Sequence, residues 1–281
     1  MAMESNAYIR APSAASLGEA PGRGRLAGRR VLVVGGGQRV FDAATDPIGN
    51  GRAVSILAAR EGAHVAVADY DLASARKTVH RITQEGGRAV AIQADITRED
   101  DVRRMIDAAA TGLGGPGGLD GMVLNVGITC TTGLHGFTLD EWDRVLNTNL
   151  RGPMLCCRHG LERMEDGASI LFVSSVAARR AGSQLVPYDA SKAGLEGLAR
   201  HVAMEGTRRG IRVNTVMPGL IDTPLGRLTT AGRPERGTVA GPFGRHATAW
   251  EVAYALLFFL SDESVYITAQ TLAVDAGITG L

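Results

Sequence analysis

Val31-Leu-Val-Val-Gly35-Gly-Gly37, then Gln38 to Pro47, then Ile48-Gly49-Asn50-Gly51 and a helical pattern running to Glu61: this stretch decides the fold. Four apolar residues, three of them β-branched, make a strand with no polar face, as in a sheet covered on both sides. The glycines after it let the backbone approach a pyrophosphate lying on the N-terminus of the following helix. A glycine cluster alone is weak evidence, but its position between first strand and first helix gives it meaning. From it we expect Gly35, Gly37, Ile48 and Gly49 to hold a dinucleotide.

Working outward, short β-branched runs recur at Val31–Val34, Val65–Ala68, Ala89–Gln93, Gly121–Asn125, Ser169–Val173, Arg212–Val216 and Thr271–Val274. Helical patterns separate them, at Gly49–Glu61, Leu72–Glu85, Arg98–Leu113, Asp140–Met164, Pro187–Arg209 and Ala249–Leu260. Strands alternating with helices predict an α/β fold: one doubly wound, parallel seven-stranded sheet of the Rossmann type, over residues 24–281. Residues 1–23, rich in Ala, Ser, Gly and Pro without an apolar period, read as a flexible extension.

The 281 residues are 45% hydrophobic and 21% charged, and 30 basic against 29 acidic side chains leave a net charge of +1. That balance gives no electrostatic footing for nucleic acid or an anionic membrane. No secretory leader is visible, and Val252–Leu260 is too short to span a bilayer, so we expect a cytoplasmic protein. Cys130, Cys156 and Cys157 lack the spacing of a disulfide framework or zinc site and read as reduced and buried. No metal is expected. Of the 30 basic residues only Lys77 and Lys192 are lysines. The arginine excess reads as compositional bias, which draws attention to each lysine that remains.

The second strand ends at Asp69, where a carboxylate accepts hydrogen bonds from ribose hydroxyls and repels a 2′-phosphate. This favours NAD, with NADP possible. Asp95, followed by Ile96, is placed either near the adenine or as a helix N-cap. Leu124-Asn125-Val-Gly127 ends the fourth strand, with a small residue where the chain passes the cofactor. Tyr188-Asp-Ala-Ser-Lys192 is the sharpest signal: i and i+4 share a helix face, so the ammonium lies on the phenol's side. An ammonium and a positive nicotinamide ring favour phenolate and should lower the tyrosine pKa from about 10 towards working pH. Ser175, thirteen residues earlier at a strand end, can hold a carbonyl oxygen.

These residues resemble the short-chain dehydrogenase/reductase family from Arg25 to Gly280. The resemblance adds Asn147-Thr-Asn149-Leu, whose Asn149 would be the helix-kinking, water-holding asparagine; Arg212-Val-Asn214; Pro218-Gly219-Leu-Ile221-Asp-Thr223, with the threonine on the nicotinamide carboxamide; and Tyr266–Asp275 as the last strand region. It implies Ser175, Tyr188, Lys192 and Asn149 as catalytic residues. It implies a substrate lid over residues 220–248 and a homotetramer built on the Asp140–Met164 and Pro187–Arg209 helices and the last strand.

The chain also departs from the family pattern. Ten residues, Gln38–Pro47, stand where the family has two; Asp46 and Pro47 are expected as N-cap and N1 of the helix. Asp42 and Asp46 suit a diphosphate site only if they point outward, and Arg39 is placed either to offset them or to reach a 2′-phosphate. Val34, Val126, Ala269 and Ala276 replace a threonine, an alanine and two glycines. His246 reads as structural, and Trp142 and Trp250 as packing. Arg227, Arg233 and Arg236 are candidates for contact with an anionic substrate, and Ile128, Thr129, Arg180, Leu185 and Val186 for the substrate wall. The expected activity interconverts a secondary alcohol and a ketone. The alternatives are an NADPH-dependent 3-oxoacyl-thioester reductase and a catalytically silent dinucleotide sensor or scaffold.

Overall fold

The computed structural model describes residues 11–281 except 43, 115–117, 131–132, 181–182 and 231–241. Among them, in chain order, run β1 (Arg30–Val34), α1 (Asn50–Arg60), β2 (His64–Asp69), α2 (Leu72–Gln84), β3 (Arg88–Gln93), α3 (Glu99–Gly112) and β4 (Leu119–Leu124). Next come α4 (Leu139–Leu146), a π-helical turn (Asn147–Arg151), α5 (Gly152–Gly160), β5 (Met164–Val173), α6 (Val186–Gly206) and β6 (Arg212–Pro218). The chain finishes with β7 (Ile221–Asp222), α7 (Pro224–Thr230), β8 (Ala247–Thr248), α8 (Ala249–Leu260) and β9 (Thr271–Val274).

Seven strands form one parallel sheet in the order β3-β2-β1-β4-β5-β6-β9. The period of two along each strand divides the core. Val31 and Val33 of β1 face α1 and α8, whereas Leu32 and Val34 face α3, α5 and α6. The central strands are buried on both sides, which is why they read as unbroken apolar runs. The topology reverses between β1 and β4, and there the carboxyl ends of the strands frame a crevice.

The expected helix over Asp140–Met164 is instead broken. The π turn at Asn147–Arg151 widens it, with the Gly152 N–H reaching Asn147 O. Met164 has already joined the sheet opposite Leu119, an inter-strand pairing that no local apolar period announces. Part of the expected flexible extension is tied down: Ser16 Oγ donates to Glu251 at 3.1 Å, and Thr248 Oγ1 donates to Ser16 O at 2.5 Å. Residues 1–10 of that stretch lie outside the described residues. Ala269 and Ala276, which stand for glycines, keep the left-handed backbone at φ 59° and 55°, at a cost of about 1–2 kcal/mol each.

Two buried ionic groups fasten the frame. Arg212 on β6 donates to the carbonyls of Phe259 (2.8 Å) and Ser261 (3.2 Å) and to Ser264 Oγ (2.8 Å), so a cation closes the C-terminal end of α8. Glu61, fully buried after α1, accepts from Arg23 N–H, Arg25 N–H and the Arg25 guanidinium at 2.9, 3.0 and 2.6 Å. Burial opposes its ionisation, but these donors outweigh burial and hold the carboxyl below the ordinary carboxylate value. Its contribution to stability is therefore present at neutral pH and is lost as pH falls through the folded-state pKa. Glu61→Ala should lower the unfolding free energy by about 3 kcal/mol, read from the urea midpoint at pH 7. At acidic pH, with the carboxyl protonated, the gap from wild type should shrink.

Candidate active site

The crevice is a cleft of about 1830 Å³ lined by the ends of six strands, from Val34 and Asp69 to Ser174 and Pro218. Its floor is the glycine turn. Gly35 (φ 80°) and Gly36 donate to Ala68 O at 2.8 and 3.1 Å, and Asn125 Nδ2 donates to Gly35 O at 2.9 Å. A Cβ on Gly51 would lie 1.9 Å from Gly35 O, so only glycine lets α1 descend onto the turn. Asp69 accepts from the Gly37 N–H (2.9 Å) and the Asp71 N–H (3.1 Å). Burial raises the Asp69 pKa, and those two N–H groups oppose the rise.

Ser175, Tyr188 and Lys192 converge on one wall of the cleft. β5 delivers Ser175 at its carboxyl end, and the Ser183–Leu185 turn leads into α6: Ser183 Oγ donates to Asp189 and accepts from Leu185 N–H at 2.9 Å. The Tyr188 phenol and the Ser175 hydroxyl line the same wall, and Ser175 favours the phenolate. Lys192, only 3% exposed, donates to Val173 O at 2.9 Å and Val126 O at 3.4 Å and lies 5.7 Å from the Tyr188 ring centroid. Two neutral carbonyls leave one of its three N–H donors without a protein partner among the described residues. Burial lowers its pKa to about 8. Gly127 keeps this space open, since a Cβ there would meet Lys192 Nζ at 3.3 Å.

The tyrosine corrects an expectation. Its pKa is raised from 10, by burial first and by Asp189, against a smaller lowering by the Ser175 hydroxyl. The desolvated ammonium does not reverse this. Lowering has to come from the other source named above, the positive nicotinamide ring.

Asn149 lies in the π turn that breaks the helix, as expected of a helix-kinking residue. It is fully buried and outside the cleft lining; Oδ1 accepts from Ile128 N–H (2.9 Å), and Nδ2 donates to Ile128 O (2.9 Å) and Ser191 Oγ (3.1 Å). Its side chain ties the π turn to the backbone of Ile128 beside the cleft. The helix start differs too. Gly49, not Asp46, is the N-cap of α1, and Asp46 turns back to accept from Phe41 and Asp42 N–H at 2.6 and 3.0 Å. Asp95 accepts from Thr97 N–H and Oγ1–H at 2.9 and 2.7 Å, while Arg98 occupies the N-cap of α3.

Ile96, Asn125, Gly127, Pro218, Gly219, Ile221 and Thr223 all line the cleft; Thr223 Oγ1 accepts from Gly226 N–H at 3.0 Å. So do Ile128, Thr129, Arg180 and Leu185, but not Val186 or Ile48. Arg227 lines it while paired with Asp222 at 2.7 Å; Arg233 and Arg236 lie outside the described residues. Sequence reasoning missed Arg144 and Thr148, which reach the cleft from the helix that was expected to be continuous. It also missed Gln38, whose amide bonds Pro47 O and Gly49 N–H, a pairing with no local signal. Among the described residues no group of three or more metal-ligating side chains is drawn together, and no helix is long and apolar enough to cross a membrane.

The residues fit a nicotinamide dinucleotide: a glycine floor no Cβ could share, a carboxylate at the end of β2, and a buried ammonium with an unspent donor. Comparison with known proteins agrees. A family model described as "Enoyl-(Acyl carrier protein) reductase" matches residues 44–279. Glucose 1-dehydrogenase of Gluconobacter oxydans is 34% identical, covering 92% of this chain and 95% of that protein. Cis-4-hydroxycyclohexanecarboxylate dehydrogenase of Sinomonas cyclohexanicum is 37% identical over 83% of this chain and 93% of its own length. The crystal structure of a short-chain type dehydrogenase/reductase from Mycobacterium marinum superposes with a TM-score of 0.82 at 30% identity, covering 91% of this chain and 97% of that one. Sheet order, cleft and relatives lead to one conclusion: the chain belongs to the short-chain dehydrogenase/reductase family and is an NAD(P)-dependent enzyme acting on hydroxyl groups.

Proposed function

We propose an NAD-preferring dehydrogenase that interconverts a secondary alcohol and a ketone, with Tyr188 as the acid–base group. The observation that carries this reading is the buried Lys192 ammonium, 5.7 Å from the ring of Tyr188, on a cleft wall that Ser175 shares. Bound nicotinamide supplies the hydride acceptor or donor. In oxidation the Tyr188 phenolate takes the hydroxyl proton, and in reduction the phenol returns it to the carbonyl oxygen. The Ser175 hydroxyl fixes that oxygen next to the phenol. Lys192 contributes positive charge to the phenolate and offers its remaining N–H to the nicotinamide ribose. Asn149 positions: through Ile128 it holds the strand end beside Lys192.

NAD is preferred because the Asp69 carboxylate, fixed by two backbone N–H groups, meets the place of a 2′-phosphate with negative charge. The two relatives named above act, by their names, on a sugar and a cyclic hydroxy acid, which supports chemistry at a secondary hydroxyl. A silent sensor would have no use for a desolvated ammonium beside a phenol. The same proposal includes a cytoplasmic homotetramer. Exposed Tyr266, Leu272 and Met204, on and beside β9 and α6, support its assembly surfaces.

Tyr188→Phe should lower kcat for alcohol oxidation by about 10²–10⁴-fold with cofactor binding retained; full turnover would refute the acid–base assignment. Lys192→Met should abolish turnover without lowering Tm at pH 7. In the fold this lysine titrates near 8 instead of 10.5. Between those values the unfolded chain binds the proton more tightly, so through this group wild-type stability rises with pH. The variant should lose that slope. Asp69→Ala should shift the ratio of kcat/KM for NADP over NAD upward by at least about tenfold. An unchanged ratio would remove the basis for NAD preference.

A further inference from the structure

The Gln38–Pro47 segment borders the cleft through Gln38, Arg39 and Phe41. One side chain closes its base: Gln38 Nε2 donates to Pro47 O at 3.0 Å, and Oε1 accepts from Gly49 N–H at 2.9 Å. The Gln38 backbone is fixed to α2, its N–H donating to Ser74 Oγ (2.6 Å) and its carbonyl accepting from the same hydroxyl (2.8 Å). Both acids of the segment face its own donors. Asp46 accepts from Phe41 and Asp42 N–H, and Asp42 accepts from Ala44 N–H and Thr45 Oγ1–H at 2.9 and 2.7 Å. Both carboxylates are thereby turned towards the segment's own backbone. The Arg39 guanidinium stacks on Phe41, 5.1 Å from the ring centroid.

The far end of the segment is held from the opposite bank. Arg227 of α7 donates through Nη1 to Thr45 O at 2.7 Å, and through Nε and Nη2 to Asp222 at 2.7 and 2.9 Å. Gln38, Arg39 and Phe41 on one side, and Leu225, Arg227 and Thr229 on the other, line one cleft with the glycine turn. A segment rooted beside β1 and a helix rooted beside β7 therefore meet across it.

We propose that this contact is a clasp over the bound dinucleotide, with Arg227 as its pin: cofactor stays until the Arg227–Thr45 bond opens. The inference rests on the dinucleotide reading above and assigns the Gln38–Pro47 segment and Arg227 to cofactor retention. The Arg227 side chain is 47% exposed, so the pin is screened by salt and opens without unfolding its surroundings. Arg227 is a positioning residue; it takes no part in proton or hydride transfer.

The test is displacement of bound NADH by excess NAD in a stopped-flow fluorimeter, at low and high KCl, for wild type, Arg227→Met and Asp222→Asn. Methionine keeps much of the aliphatic stem and removes every donor; the asparagine leaves Arg227 present but removes the charge that aims it. At low salt both variants should release NADH faster, Arg227→Met by about tenfold, the equivalent of roughly 1.4 kcal/mol. Salt should speed release from wild type towards the Arg227→Met rate and change that variant far less. Equal release rates at low salt, or the same salt dependence in wild type and Arg227→Met, would overturn the clasp. If wild type gives no NADH signal under any condition, the dinucleotide reading itself fails, and the clasp with it.

Discussion

A parallel sheet sends every strand out along the same edge, and at that edge the backbone runs out of neighbours. Each N–H and C=O exposed there needs a partner, or burial of the edge becomes costly. The side chains that meet this need also build the cleft. Asn125 takes up Gly35 O, Lys192 takes up Val173 O and Val126 O, Asn149 takes up both polar groups of Ile128, and Asp69 takes up the Gly37 N–H. Ser174 Oγ–H closes the set by donating to Lys192 O at 2.9 Å. Folding and function thus draw on one hydrogen-bond inventory, and most groups that touch the cleft have a structural partner before any ligand arrives.

That double duty explains what was legible in the sequence. Strands such as Val31–Val34 announce themselves because burial on both faces removes polar residues, and α8 is bounded where its apolar run is bounded. Tyr188 and Lys192 are legible because a helix repeats every 3.6 residues, so their spacing alone places them together. The failures share a cause, which is partners distant in the chain. Met164 looks like a helix end until Leu119 is beside it. Asp46 looks like an N-cap until the N–H groups of Phe41 and Asp42 curl back to it. Ser16 looks like part of a loose tail, but its partners Thr248 and Glu251 lie more than 230 positions away. Burial raises the Tyr188 pKa in a way the sequence did not announce, because charge is visible in a sequence and desolvation is not.

Composition proved a partial guide. Two lysines among so many arginines drew attention to Lys192, and the structure supplies the reason a lysine suits the position. Beside Gly127 the ammonium meets two carbonyls and keeps one donor to spare, where a planar guanidinium would bring five donors in a fixed fork. The left-handed alanines at 269 and 276 show the converse, a backbone shape maintained after the residue that makes it easy has gone.

The sheet is also a partition, with one apolar layer on each side and little side-chain traffic between them. The glycine turn takes its bearings from α1 on one layer, and Tyr188 and Lys192 take theirs from α6 on the other. Truncations placed one in each layer are remote enough for their effects on stability to add. Turnover depends on the relative placement of two rafts that meet across the strands between them. Their effects on kcat need not add, so the partition separates the energetics of folding from those of alignment.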